Sequence, residues 1–178
     1  MSKENIILIG FMGSGKSTIG KKLARALEYR FLDTDELIEE RAGKTITQIF
    51  AEDGEAAFRR TETELLEELI QNETHCIIAT GGGMPLRPEN AACLKKLGMV
   101  VLLNATPETI LERLKEDTQR PLLQGDNKAE KVNALYNERF PKYTAAADYV
   151  VNTDDKTFYS IINEIETLYK EEGKRREK

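Results

Sequence analysis

Residues Gly10-Phe11-Met12-Gly13-Ser14-Gly15-Lys16-Ser17-Thr18 spell a complete Gly-x-x-x-x-Gly-Lys-Ser phosphate-binding loop. The chemistry follows from the residue types. Glycines let the backbone curl so that the N–H groups of Gly13, Ser14, Gly15, Lys16, Ser17 and Thr18 converge on phosphate oxygens. A helix starting here adds partial positive charge at the same point. Lys16 is placed to reach the β- and γ-phosphates of ATP, and Ser17 to hold Mg²⁺. The context fits: the apolar run Ile6-Ile7-Leu8-Ile9 before it reads as a buried parallel strand, and Thr18 to Leu27 after it reads as a helix. A glycine-rich turn without a ligand would not need Lys16 and Ser17 at this spacing.

Further groups could complete a phosphoryl-transfer site. Asp33-Thr34-Asp35 follows the second strand-like run. Asp33 suits a water-mediated contact to Mg²⁺, a hard cation that takes few direct protein oxygens. Asp35 suits a substrate hydroxyl whose proton it can accept and orient. The alternative for either residue is helix capping ahead of Asp35-Glu36-Leu37. Arg59 and Glu62 lie three apart on a helical pattern and can pair on one face, fixing the guanidinium. Arg59 and Arg139, if they converge on a pocket, can grip a carboxylate with forked hydrogen bonds; otherwise each is a surface arginine. Gly81-Gly82-Gly83 after the third strand allow close backbone approach to a ligand, or a plain turn. That strand lacks the acidic residue that often holds Mg²⁺ in phosphate-loop enzymes, which leaves the ion to Ser17 and Asp33. Arg120, in Arg120-Pro121-Leu122-Leu123, could close over the phosphates from a mobile loop and neutralise charge developing in the transition state. Arg113, on the preceding helix, is placed near the nucleotide base.

The elements that must position these groups alternate. Strands are expected at Ile6–Ile9, near Tyr29–Leu32, at Cys76–Ala79, Val100–Leu103 and Tyr149–Val151. Helices are expected from Lys16, over Asp35–Ala42, Gly54–Gln71, Pro107–Glu116, Asn127–Tyr143 and Thr157–Lys170. Such alternation implies an α/β fold, a parallel sheet with helices on both faces and ligands bound beyond the carboxyl ends of the strands. A charged helical insertion is expected at about 33–62, a lid at about 113–127 and a frayed charged tail at 171–178.

Bulk properties bound the function. A chain of 178 residues suits one domain with a sizeable core. A net charge of −5 argues against a broad nucleic-acid surface. With no apolar leader and no run long enough to span a bilayer, a cytoplasmic protein without a membrane partner is expected, with monomer as the default. Cys76 and Cys93 have no metal-ligand spacing and read as buried free thiols. His75, the only histidine, reads as a strand-end residue.

Taken together, these motifs resemble the shikimate kinase family. The likeness spans the chain from Gly10 to Asn152: the phosphate loop, Asp33-Thr34-Asp35, Gly54-Glu55 with Phe58-Arg59, Gly81-Gly82-Gly83, Arg120-Pro121-Leu122-Leu123, and Arg139 with Pro141 and Tyr143. The phosphate loop is shared by many NTPases; the rest of the combination is far more specific. The resemblance implies a three-layer, nucleoside-monophosphate-kinase-like fold with a five-stranded parallel sheet. It implies Mg²⁺-ATP-dependent phosphorylation of the 3-hydroxyl of shikimate, in aromatic amino-acid biosynthesis. It places Asp35 at the substrate hydroxyls, Arg59 and Arg139 at the carboxylate, Gly81 and Gly82 along the substrate, and Arg120 in the lid. Lys156 would be the counterpart of a basic residue packed near adenine, although Asp154 and Asp155 depart from the more basic versions of that loop. A kinase for another small polyol acid such as gluconate, or a nucleotide-binding module without turnover, are the competing readings.

Overall fold

The computed structural model describes residues 4–115 and 125–176. Its strands are β1 (Ile6–Ile9), β2 (Arg30–Asp33), β3 (Cys76–Ala79), β4 (Met99–Asn104) and β5 (Tyr149–Asn152). Its helices are α1 (Lys16–Leu27), α2 (Thr34–Ala42), α3 (Ile46–Asp53), α4 (Glu55–Asn72), α5 (Pro88–Leu97), α6 (Pro107–Arg113), α7 (Lys128–Ala146) and α8 (Phe158–Arg176). The strands form one five-stranded sheet in the order β2-β3-β1-β4-β5, and every pairing is parallel. The expected three-layer α/β architecture is therefore the observed one.

Strand chemistry explains the layering. In β1, β3 and the first five residues of β4 every side chain is buried, as a parallel sheet covered on both faces requires. Alternate residues serve opposite cores. Ile7, Ile9, Ile78, Val100 and Leu102 pack with Leu65 and Leu66 of α4, Leu94 of α5 and Val132 of α7. Ile6, Leu8, Ile77, Val101 and Leu103 pack with Leu23 of α1 and with Ile161 and Ile165 of α8. The outer strands β2 and β5 are more exposed, as sheet edges are.

Three expectations need correction. No element was expected between Gly83 and the fourth strand, yet Met84–Leu86 forms a 3₁₀ turn and α5 follows. The inward face of α5 carries Asn90, Leu94 and Leu97, so a fully buried polar residue interrupts its apolar period. Asn90 is tolerated because its amide donates to the Met84 carbonyl at 3.1 Å and its oxygen accepts from Thr63 Oγ1 at 2.8 Å. The tail does not end its helix at Lys170: α8 runs to Arg176, and Glu172 accepts from Tyr149 Oη at 2.8 Å and from Arg176 Nε at 3.0 Å. Cys76 is buried, but Cys93 is only half-buried on the flank of α5. Within the expected insertion, α3 is a separate helix started by a Thr45–Gln48 capping box. Arg120, and most of the expected lid with it, lies outside the described residues. Among the described residues no helix is long and apolar enough to cross a membrane.

Candidate active site

A cleft of about 740 Å³ opens along the carboxyl edge of the sheet. One end is the phosphate loop. The other is walled by α2, α3 and α4, by Thr80 to Gly83 after β3, and by Arg139 of α7. This is where a parallel α/β sheet offers its ligand crevice.

The phosphate half is built around one local turn, braced by two more distant residues. Gly15 adopts φ 93°, a left-handed conformation that favours glycine, and caps α1 without a side chain. Gly15 offers the first turn of α1 no capping side chain, and a helix start of this kind suits an anion. Lys16 Nζ donates to the carbonyls of Gly10 at 2.7 Å and Phe11 at 3.0 Å, holding the ammonium over the loop. The two oxygens of Asp33 divide their work. Oδ1 caps α2 by accepting from the Asp35 N–H at 2.9 Å and the Glu36 N–H at 3.3 Å; Oδ2 accepts from Ser17 Oγ at 3.0 Å. Capping and the tie to Ser17 therefore coexist in one carboxylate. Arg113 donates to the Gly13 carbonyl at 3.0 Å and to Thr153 Oγ1 at 3.5 Å, bridging the phosphate loop and the segment after β5. Lys156 is ion-paired with Glu164 of α8 at 2.6 Å and does not line the cleft.

The acceptor half is assembled from distant segments, and the triple glycine joins them. The Gly81 N–H donates to Thr34 Oγ1 at 3.0 Å. A Cβ on Gly81 would stand 2.6 Å from Asp35 Oδ1, and one on Gly83 would stand 2.5 Å from Arg59 Nη1. The Gly82 carbonyl accepts from the buried Tyr143 hydroxyl at 2.7 Å, and Arg139 Nη1 is 3.8 Å from where a Gly82 Cβ would be. Each glycine thus sits against a different neighbour, and no side chain fits between the strap and Asp35 or Arg59.

The two arginines are held differently. Arg59 donates to Glu62 Oε2 at 2.8 Å and to Glu55 Oε1 at 3.4 Å, and lies 5.3 Å from the Phe58 ring centroid. Arg139 lies 5.8 Å from the ring centroid of Phe11, a residue of the phosphate loop. Glu62 is only 1% exposed, and burial raises its pKa although Arg59 opposes the shift. Burial by itself would lower the Arg59 pKa; the hydrogen bond and charge of Glu62, with Glu55, outweigh it and leave Arg59 more firmly cationic. Burial also raises Tyr143, against the opposing pull of Arg139, so its hydroxyl stays a donor.

The structure thus gathers Lys16, Ser17, Asp33, Asp35, Arg59, Gly81, Gly82 and Arg139 around one cleft. The sequence did not single out Glu36, Glu39, Ile46 and Phe50, which also line it. Glu39 could have been noticed only through its link to α3, where Oε1 accepts from the Ile46 N–H at 2.9 Å.

Comparisons with known proteins agree with this geometry. The shikimate kinase family model matches residues 12–169. A shikimate kinase of Francisella tularensis subsp. holarctica is 45% identical over 169 residues, covering 95% of this chain and 96% of that protein. One of Francisella philomiragia subsp. philomiragia is 44% identical over the same shares. Among solved structures, shikimate kinase from Acinetobacter baumannii in complex with shikimate is 39% identical with a TM-score of 0.86, covering 93% of this chain and 92% of that one. Shikimate kinase from Bacteroides thetaiotaomicron is 36% identical with a TM-score of 0.84, covering 95% and 99%. With its phosphate loop, acidic strand end and paired arginines in one cleft, this chain belongs to the shikimate kinase family.

Proposed function

We propose that the protein transfers the γ-phosphoryl group of ATP to the 3-hydroxyl of shikimate. The observation that carries this reading is the polarity of the acceptor half. Asp35 meets the glycine strap at Gly81, Arg139 near Gly82 and Arg59 at Gly83, so a carboxylate and two guanidinium groups face the same short run of backbone. An acceptor with a hydroxyl at one end and a carboxylate at the other matches that arrangement. A nucleotide switch without an acceptor would not need it.

The roles follow from the groups. The arginines orient the acid by its carboxylate, and Gly81 and Gly82 let its ring lie against backbone. The hydroxyl oxygen forms the new bond to phosphorus as the bond to ADP breaks, and Asp35 takes up the hydroxyl proton. Lys16, the loop N–H groups and the α1 N-terminus hold the phosphates, and Arg113 braces the loop. Arg120 is assigned to the lid, neutralising transition-state charge and helping to exclude water. Lys156 keeps its assignment near adenine only if it leaves Glu164.

Mg²⁺ would be held by Ser17 and Asp33. Their oxygens are hard donors 3.0 Å apart at the cleft, and the described residues contain no cluster of three acidic, His or Cys side chains able to cage a metal alone. That sparse donor set suits an ion that arrives with a nucleotide and keeps several waters. When bound, it supplies charge neutralisation on the β- and γ-phosphates. On this reading the protein acts as a monomer in the cytoplasm, where its co-substrate ATP is supplied.

A coupled ADP-release assay with Mg²⁺-ATP tests the reading by comparing shikimate, quinate, gluconate and no acceptor. Strong stimulation by shikimate alone is the expected result. Equal rates with every acceptor would contradict it.

A further inference from the structure

Arg139 lies 5.8 Å from the ring centroid of Phe11, which is 2% exposed, and also interacts with the Tyr143 hydroxyl. A ring can serve as a shelf for a cation only if its plane is fixed. Phe11 belongs to the phosphate loop, but its side chain is buried in the hydrophobic core, where its neighbours set the plane of the ring. Tyr136 is the ring among them that meets it directly. Its ring meets Phe11 edge-on, with centroids 6.1 Å apart at 63°, and stacks on Phe140 at 5.4 Å. Its hydroxyl donates to Asn104 Oδ1 at 2.8 Å, and Asn104 in turn donates to Asn152 at 3.1 Å, tying the ring to the ends of β4 and β5. Tyr136 lies three residues before Arg139 on α7, so both project from the same side of the helix.

We propose that Tyr136 is a positioning residue for the acid acceptor: it locks Phe11 in place and so fixes the shelf on which Arg139 lies. The proposal rests on the reading of Arg139 as a carboxylate grip. It predicts that the acceptor's affinity depends on a tyrosine that does not line the acceptor cleft.

The test is a double-mutant cycle with purified enzyme, Mg²⁺-ATP and shikimate. Tyr136→Leu keeps apolar bulk but removes the ring and the hydroxyl. It should raise KM for shikimate about 3- to 10-fold, the span of one aromatic and one cation–π contact, with kcat and KM for ATP within about 2-fold. Tyr136→Phe, which loses only the bond to Asn104, should move KM the same way by about 2- to 3-fold, and it serves if the Leu variant fails to fold. In an Arg139→Ala background neither change should raise KM further. A KM unchanged in the Phe variant, or a rise equally large without Arg139, overturns the proposal. An Arg139→Ala enzyme with wild-type KM overturns the carboxylate grip and this proposal with it. A raised KM in that variant upholds the grip whatever Tyr136 does.

Discussion

The phosphate loop and the acceptor pocket share one cleft but depend on the rest of the molecule differently. The loop takes its groups from one stretch, Gly10 to Thr18, and its shape is set by local glycines and the start of α1. The pocket takes Asp35 from α2, Arg59 from α4, Arg139 from α7 and its backbone floor from the segment after β3. A contiguous site stands as long as its own turn forms. A convergent one is only as accurate as the packing of the helices that carry it. Substitutions in the loop should therefore act on chemistry and nucleotide together, and those in the pocket on the acceptor.

The largest effect should come from the loop. Lys16→Met removes the ammonium aimed at the phosphates, and kcat should fall by about 10³-fold or more with the melting temperature nearly unchanged. Steady-state rates and a thermal melt check this. Asp35→Asn comes next: loss of the proton acceptor should lower kcat by about 10²- to 10³-fold, while calorimetry still detects ATP binding. Loss of ATP binding in that variant would merge the two halves and erase the distinction. Arg139→Ala should raise KM for shikimate by the equivalent of about 2–5 kcal/mol, leaving KM for ATP within a factor of about two.

The smallest and most diagnostic effect concerns pH. Glu62 holds its proton more tightly in the folded chain than a free glutamate does, because it is buried. As pH falls through that raised value Glu62 is neutralised, the Arg59 ion pair is lost, and KM for shikimate should rise. In Glu62→Gln the KM should already be high and nearly flat over the same range. The stability contribution has the opposite sense. The native state binds the Glu62 proton more strongly than the unfolded state, so stability from this group is fully present below the unfolded value and falls as pH rises toward the native value. Urea titrations across the acid range check that slope.

Legibility in the sequence follows the same division. The loop could be read because its chemistry depends on spacing along the chain. The buried strands could be read because parallel pairing leaves uninterrupted apolar runs, as in Ile6–Ile9 and Cys76–Ala79. Helix α5 was hidden because Asn90 occupies a core position whose partners, Thr63 and the Met84 carbonyl, come from other turns. The tie between Tyr143 and Gly82 spans 61 residues, and no spacing rule announces it. The resemblance named Arg59 and Arg139. That one leans on buried Glu62 and the other on a ring of the phosphate loop emerges only from packing. Family likeness could place Lys156, but not its pairing with Glu164.

The most direct test of the account is to incubate the protein with Mg²⁺-ATP and shikimate and follow phosphorus by NMR. The account predicts loss of the γ-phosphate signal, equimolar ADP, and one new phosphomonoester coupled to the proton on carbon 3 of the ring. ADP with inorganic phosphate alone, or an ester at another hydroxyl, would contradict it.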